Sequence, residues 1–111
     1  MRESKYIEYK EVVSKTFLKV VSAFANYNEG KIIFGIRDDG TVQGLSDPYK
    51  ACIDIENAIN DGISPVPEYE ITVNTNNNTV ILMVYRGPEP PYFYHGKAYR
   101  RSDTASVPVD T

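Results

Sequence analysis

The sequence predicts an α+β domain: two helices packed on a mixed, mainly antiparallel β-sheet, in the order β-α-β-β-α-β-β-β-β. Three observations predict it. Residues 11–27 and 47–62 place apolar side chains at helical spacing. Residues 31–37, 69–74 and 79–86 are short apolar or alternating runs of strand length. Asp38-Asp39-Gly40, Asn76-Asn77-Asn78 and His95-Gly96 are turn signals between such runs. The 111 residues suit one domain.

Taken in order, residues 5–10 are aromatic-rich and predict a short strand. Val13, Phe17, Val20, Val21 and Phe24 then form one apolar helical stripe, with Glu11, Lys15 and Lys19 four apart on the polar side. Asn26 through Gly30 end this helix, with Gly30 offering a left-handed conformation. Residues 31–37 form a nearly unbroken apolar run, as in a strand buried on both faces, and residues 41–45 return as its hairpin partner. Asp47-Pro48 opens the second helix as N-cap and first-turn proline. Gly62, Pro65 and Pro67 end it. Residues 69–74 alternate, as a half-exposed strand does, and residues 79–86 are apolar enough for a central strand. Residues 92–94 and 97–100 make a final hairpin around His95-Gly96, followed by a polar tail.

The charge is unevenly spread. Twelve Lys+Arg against fifteen Asp+Glu give a net charge of -3, which excludes a wholly basic coat protein. The cations gather toward the two ends, and residues 41–90 are acidic. A basic patch forms on this acidic protein only if the ends meet. Cys52 is the sole cysteine, so no intramolecular disulfide forms and a cytoplasmic address is expected. No apolar run approaches membrane-spanning length, and no membrane partner is expected. Neither a phosphate loop nor a nucleophile elbow is present, so no motif supports ATP binding.

Several segments resemble one family. They are Glu3-Ser4 with Glu8-Tyr9-Lys10, Ala23-Phe24-Ala25-Asn26, and the stretch from Gly30 through Gly35, Asp38-Asp39-Gly40 and Gly44. Pro91-Tyr92 and Gly96-Lys97-Ala98-Tyr99 with Arg101-Ser102 complete the set. In order and spacing, from Glu3 to about Pro108, this resembles the Schlafen-type AlbA-like domain. The resemblance implies a DNA-binding domain, found in bacteria at the N-terminus of transcriptional regulators, and hence a single domain, 1–111, that is the N-terminal piece of a longer protein. Some animal relatives cut RNA with three carboxylates. Glu3 and Glu8 match the first two, whereas Arg37 stands at the third, with Asp38 and Asp39 just after it.

The resulting expectation is a non-catalytic nucleic-acid-binding domain, with DNA favoured over RNA. Its candidate contacts are Lys97, Arg101, Tyr99, Arg100, Lys10, Arg37 and Asn26. Strand alternation makes Lys97 and Arg101 an outward pair with Tyr99 between them, suited to phosphate contact and base stacking. The commoner role of Asn26 is to cap the helix end. The second reading is a metal-dependent nuclease using Glu3, Glu8 and Asp38 around a divalent cation, which needs a bend near Ser4. Otherwise no cofactor is expected. The third is a protein-interaction module, with a homodimer formed through the aromatic hairpin.

Overall fold

In the computed structural model, which describes residues 3–109, two four-stranded sheets enclose the first helix. The strands are β1 (Ile7–Lys10), β2 (Gly30–Phe34), β3 (Ile63–Ser64), β4 (Tyr69–Asn74), β5 (Thr79–Val84), β6 (Phe93–Tyr94), β7 (Lys97–Ser102) and β8 (Ala105–Pro108). The helices are α1 (Phe17–Asn26) and α2 (Pro48–Gly62). One sheet runs β1-β2-β5-β4 and the other β3-β6-β7-β8. Only β1 and β2 pair in parallel; every other pairing is antiparallel.

The register explains the core. Ile32 of β2 lies opposite Leu82 of β5, which lies opposite Ile71 of β4; Phe34, Val80 and Val73 form the next row. These side chains face the helices. Helix α1 is buried along its whole length except Lys19, because sheets cover it on two sides. Phe17 meets Phe34 edge to face at 5.3 Å. Gly30 opens β2 beneath the Phe24 ring, which would collide with any side chain there. Its role is therefore close helix–strand approach, in place of the left-handed helix end expected of it.

The α+β class with two helices holds, and several local features differ from expectation, among them the short strand β3 after α2. The return strand at 41–45 shrinks to a single bridge between Ile36 and Val42. The Asp38–Gly40 turn does form, with Gly40 N–H donating to Arg37 O and Asp39 accepting from Thr41 N–H. Helix α1 starts at Phe17, so Glu11, Lys15 and Lys19 do not share a helical face. Val12, Val13, Ser14 and Thr16 are poor helix formers, and the Ser14 and Thr16 hydroxyls bond each other at 3.0 Å. The tail expected to be polar forms β8, which pairs with β7 from Tyr99 to Ser102. Asp47 caps α2 as expected, accepting from Lys50 N–H at 3.1 Å.

The 35–45 loop is pinned to the sheet by Gly35 O, which accepts from Gln43 and Gly44, and by Leu45 N–H on Asn78 O. Gly44 has φ +79°, and a Cβ there would sit 2.7 Å from Asn77 O. Gly44→Ala is expected to cost about 2–4 kcal/mol, combining a left-handed backbone with a backbone clash. A urea melt reads the loss; an unchanged midpoint contradicts this placement of the loop.

Candidate nucleic-acid interface

The two ends of the chain meet at Arg101. This side chain points inward from β7 and is 7% exposed. Its Nη1 donates to Glu8 Oε1 at 3.0 Å and to Ser106 Oγ at 3.3 Å. Nη2 donates to Ser4 O at 2.8 Å and Nε to Lys5 O at 3.2 Å. The guanidinium also lies 5.5 Å from the Phe24 ring centroid. The planar fork of arginine suits such divergent acceptors. Arg101 thus latches the N-terminal turn to the C-terminal hairpin.

The alternation expected for β7 is present, but its sense is reversed. Tyr99 and Arg101 share a face, and that face packs on α1 instead of meeting solvent. The expectation of an outward Lys97–Arg101 pair with Tyr99 between them is therefore corrected. Lys97 is exposed at the hairpin tip, where His95 (φ 50°) and Gly96 (φ 73°) make the tight turn. Arg100 is exposed. Hydrophobic periodicity alone could not reveal this, because an arginine on the buried face reads as polar.

Asn26 is likewise internal, 7% exposed at the end of α1. Its Oδ1 accepts from Tyr92 N–H, and its Nδ2 faces Tyr92 O at 3.0 Å and Tyr99 O at 3.3 Å. Ser22, one turn earlier, donates to Tyr92 O at 2.8 Å and accepts from Tyr99 N–H at 3.1 Å. The two polar side chains join α1 to the 92–99 segment. Asn26 does not use its side chain to cap the helix; the N–H of Tyr27 closes it on Ala23 O.

The bend near Ser4 exists. Ser4 and Ile7 exchange backbone hydrogen bonds around a tight turn, and Glu3 folds back so that Oε2 accepts from Tyr9 N–H at 2.8 Å. That N–H belongs to edge strand β1, so Glu3 blunts the edge. Burial raises the Glu3 pKa, the Tyr9 N–H opposes this, and the charges of Glu8 and Asp38 raise it further. Glu3 therefore feels the charge of both other acids of the nuclease reading. Glu8 is nevertheless committed to Arg101 and, at 3.5 Å, to Lys10. No group of three or more acids, histidines or cysteines among the described residues is arranged to hold a metal. Arg37 is exposed, its Nε bonding Gln43 at 2.8 Å. Lys10 joins the same neighbourhood, since Lys10 O accepts from Gly35 and Ile36 N–H. The expected cations thus divide: Lys10 beside Glu8, Arg37 beside Gln43, Lys97 at the hairpin tip, and Arg100 beside the N-terminal turn.

A cleft of about 190 Å³ lies where the ends meet. Ala23, Phe24 and Arg101 are its buried lining residues; Lys5, Tyr6, Tyr27, Asn28 and Arg100 are its exposed ones. Tyr6 is 49% and Tyr27 43% exposed. Among the described residues neither Lys5 nor Arg100 forms an ion pair. Sequence reasoning missed Lys5, Tyr6 and Tyr27 as site residues. The available signal was that Tyr6 and Tyr27 lie outside both apolar stripes; their proximity depends on the Arg101 latch.

The fold has solved relatives. The structure is similar to the DIP2311 protein from Corynebacterium diphtheriae, with TM-score 0.68 and 17% identity over 96% of this chain, which spans 22% of that one. It is also similar to the N-terminal domain of a Nitrosomonas europaea protein described as related to the ATP-dependent DNA helicase RecG. There the TM-score is 0.57 and the identity 26%, over 92% of this chain and 81% of that one. No curated protein matches the sequence closely enough to count as a relative. No helix among the described residues is long and apolar enough to cross a membrane. The Schlafen, AlbA_2 family matches residues 3–110, almost the whole length, and the chain belongs to that family.

Proposed function

We propose that this domain binds nucleic acid without catalysis, and that it serves as the N-terminal DNA-binding part of a bacterial transcriptional regulator. The observation that carries the reading is the meeting of the cationic ends. On a chain of net charge -3, Lys5 and Arg100 come to one cleft and form no ion pair among the described residues. Membership of the Schlafen, AlbA_2 family and the likeness to a domain of a RecG-related protein support the same reading. Contacts would run chiefly to phosphate, through Lys5, Arg100 and Lys97, with the aromatic rings as secondary surfaces.

Titration with short DNA and RNA at two salt concentrations tests this. Affinity is expected to fall steeply with salt. In Lys5→Ala/Arg100→Ala the salt slope is expected to shrink by about 0.7–0.9 per lost phosphate contact, while the thermal midpoint stays close to that of the parent. Absence of binding at low salt, or binding indifferent to salt, overturns the proposal. Metal-dependent cleavage that disappears in a folded Glu8→Gln variant overturns its non-catalytic part.

A further inference from the structure

We propose that the cleft beside the Arg101 latch receives an unpaired nucleobase, so that this domain prefers single-stranded nucleic acid to duplex. The inference rests on the nucleic-acid reading above and narrows its ligand.

The size of the cleft comes first. About 190 Å³ is below the roughly 300–1,000 Å³ of sites that enclose a drug-sized ligand. It accommodates one ring system. Its chemistry comes next. Ala23 and Phe24 supply a buried apolar lining, and Tyr6 and Tyr27 contribute exposed aromatic residues. Asn28 adds amide donors and acceptors, and Lys5 and Arg100 add positive charge. A base with its attached phosphate is apolar on its faces, polar on its edge and anionic at its backbone, and the lining matches all three. A base within a duplex has both faces stacked and cannot enter.

The aromatic residues are also held in place. Tyr6 lies in the turn fastened by Arg101 through Ser4 O and Lys5 O, and its own carbonyl accepts from Lys31 N–H at 2.9 Å. Tyr27 follows the last residue of α1, where Asn26 is fixed to the 92–99 segment. Little backbone ordering remains to oppose binding.

The cleft has a continuation. Tyr27 also lines a neighbouring groove of about 680 Å³, which contains Phe93 and Lys97. Through Tyr27 the cleft, with Lys5, Arg100 and Tyr6, adjoins the groove, with Lys97 and Phe93. Cations that follow a backbone, interleaved with rings on which bases stack, are the recurring design of single-strand binders.

The test uses the whole chain and labelled oligothymidine of about ten nucleotides, within the site sizes typical of such grooves. The comparators are the abasic strand of equal length, the thymidine–adenine duplex and oligouridine. The intact strand is expected to bind at least about tenfold more tightly than the abasic strand or the duplex. Tyr6→Ala/Tyr27→Ala is expected to lose roughly five- to hundredfold for the intact strand and little for the abasic one, with Tyr6→Phe/Tyr27→Phe restoring affinity. Preference for thymidine or uridine separates two strands that differ in sugar and in the 5-methyl group, and base-dependent binding of either supports the proposal. Equal affinity for intact and abasic strands, or preference for duplex, overturns it while leaving the nucleic-acid reading intact. No binding to any strand overturns both.

Discussion

Arg101→Ala is expected to destabilise the domain by about 3–5 kcal/mol, a large part of the roughly 5–15 kcal/mol that holds a domain together. The guanidinium serves Glu8, Ser106 and the carbonyls of Ser4 and Lys5 from a position only 7% exposed. Its loss leaves Glu8 with Lys10 as its remaining cation, at 3.5 Å, and frees the N-terminal turn. Glu8→Gln is expected to cost less, because Arg101 retains its two carbonyl acceptors and Ser106. Arg101→Lys should fall between the extremes, since one ammonium cannot meet divergent acceptors as a planar fork does. Urea unfolding midpoints at constant m-value measure the order. Equal midpoints for Arg101→Ala and the parent would remove the latch from the account. The same variant should also weaken nucleic-acid binding, because Lys5 and Tyr6 lose their fixed position.

Asn26→Ala is expected to cost about 3–5 kcal/mol. Tyr92 N–H and Tyr99 O lose their side-chain partner in a buried setting, and each unsatisfied buried group costs roughly 1–3 kcal/mol. The cavity left behind adds to this. Ser22→Ala should cost less, since Asn26 still reaches Tyr92 O at 3.0 Å. Asn26→Asp keeps the shape and does not rescue, because a carboxylate would face two carbonyl oxygens and carry a buried charge. Thermal or urea unfolding ranks these variants, and Asn26→Ala with parental stability would refute the assignment.

Much of the architecture was legible because it follows local rules. The Asp47-Pro48 start of α2, the His95-Gly96 turn and the central position of β5 each follow from residue types at short spacing. Failures arose where local cues were weak. Residues 11–16 carried the right apolar period but poor helix formers, and the period alone prolonged the predicted helix. The stretch 41–45 followed a good turn yet holds one bridge, because its backbone bonds go to Gly35 and Asn78.

The sequence by itself determined the two helices, most of the strands and the segregation of cations to the chain ends, since these depend on periodicity, turn chemistry and charge order. It also determined that Tyr99 and Arg101 share one face of a strand, because side chains alternate. Only the tertiary structure decided which face that is. Inversion of a strand exchanges every side chain between core and solvent, and the choice here is set by contacts between residues more than ninety positions apart, Arg101 with Ser4 and Lys5. Those contacts turned an expected phosphate ligand into the latch and left Lys5, Tyr6, Tyr27 and Arg100 around the cleft it creates.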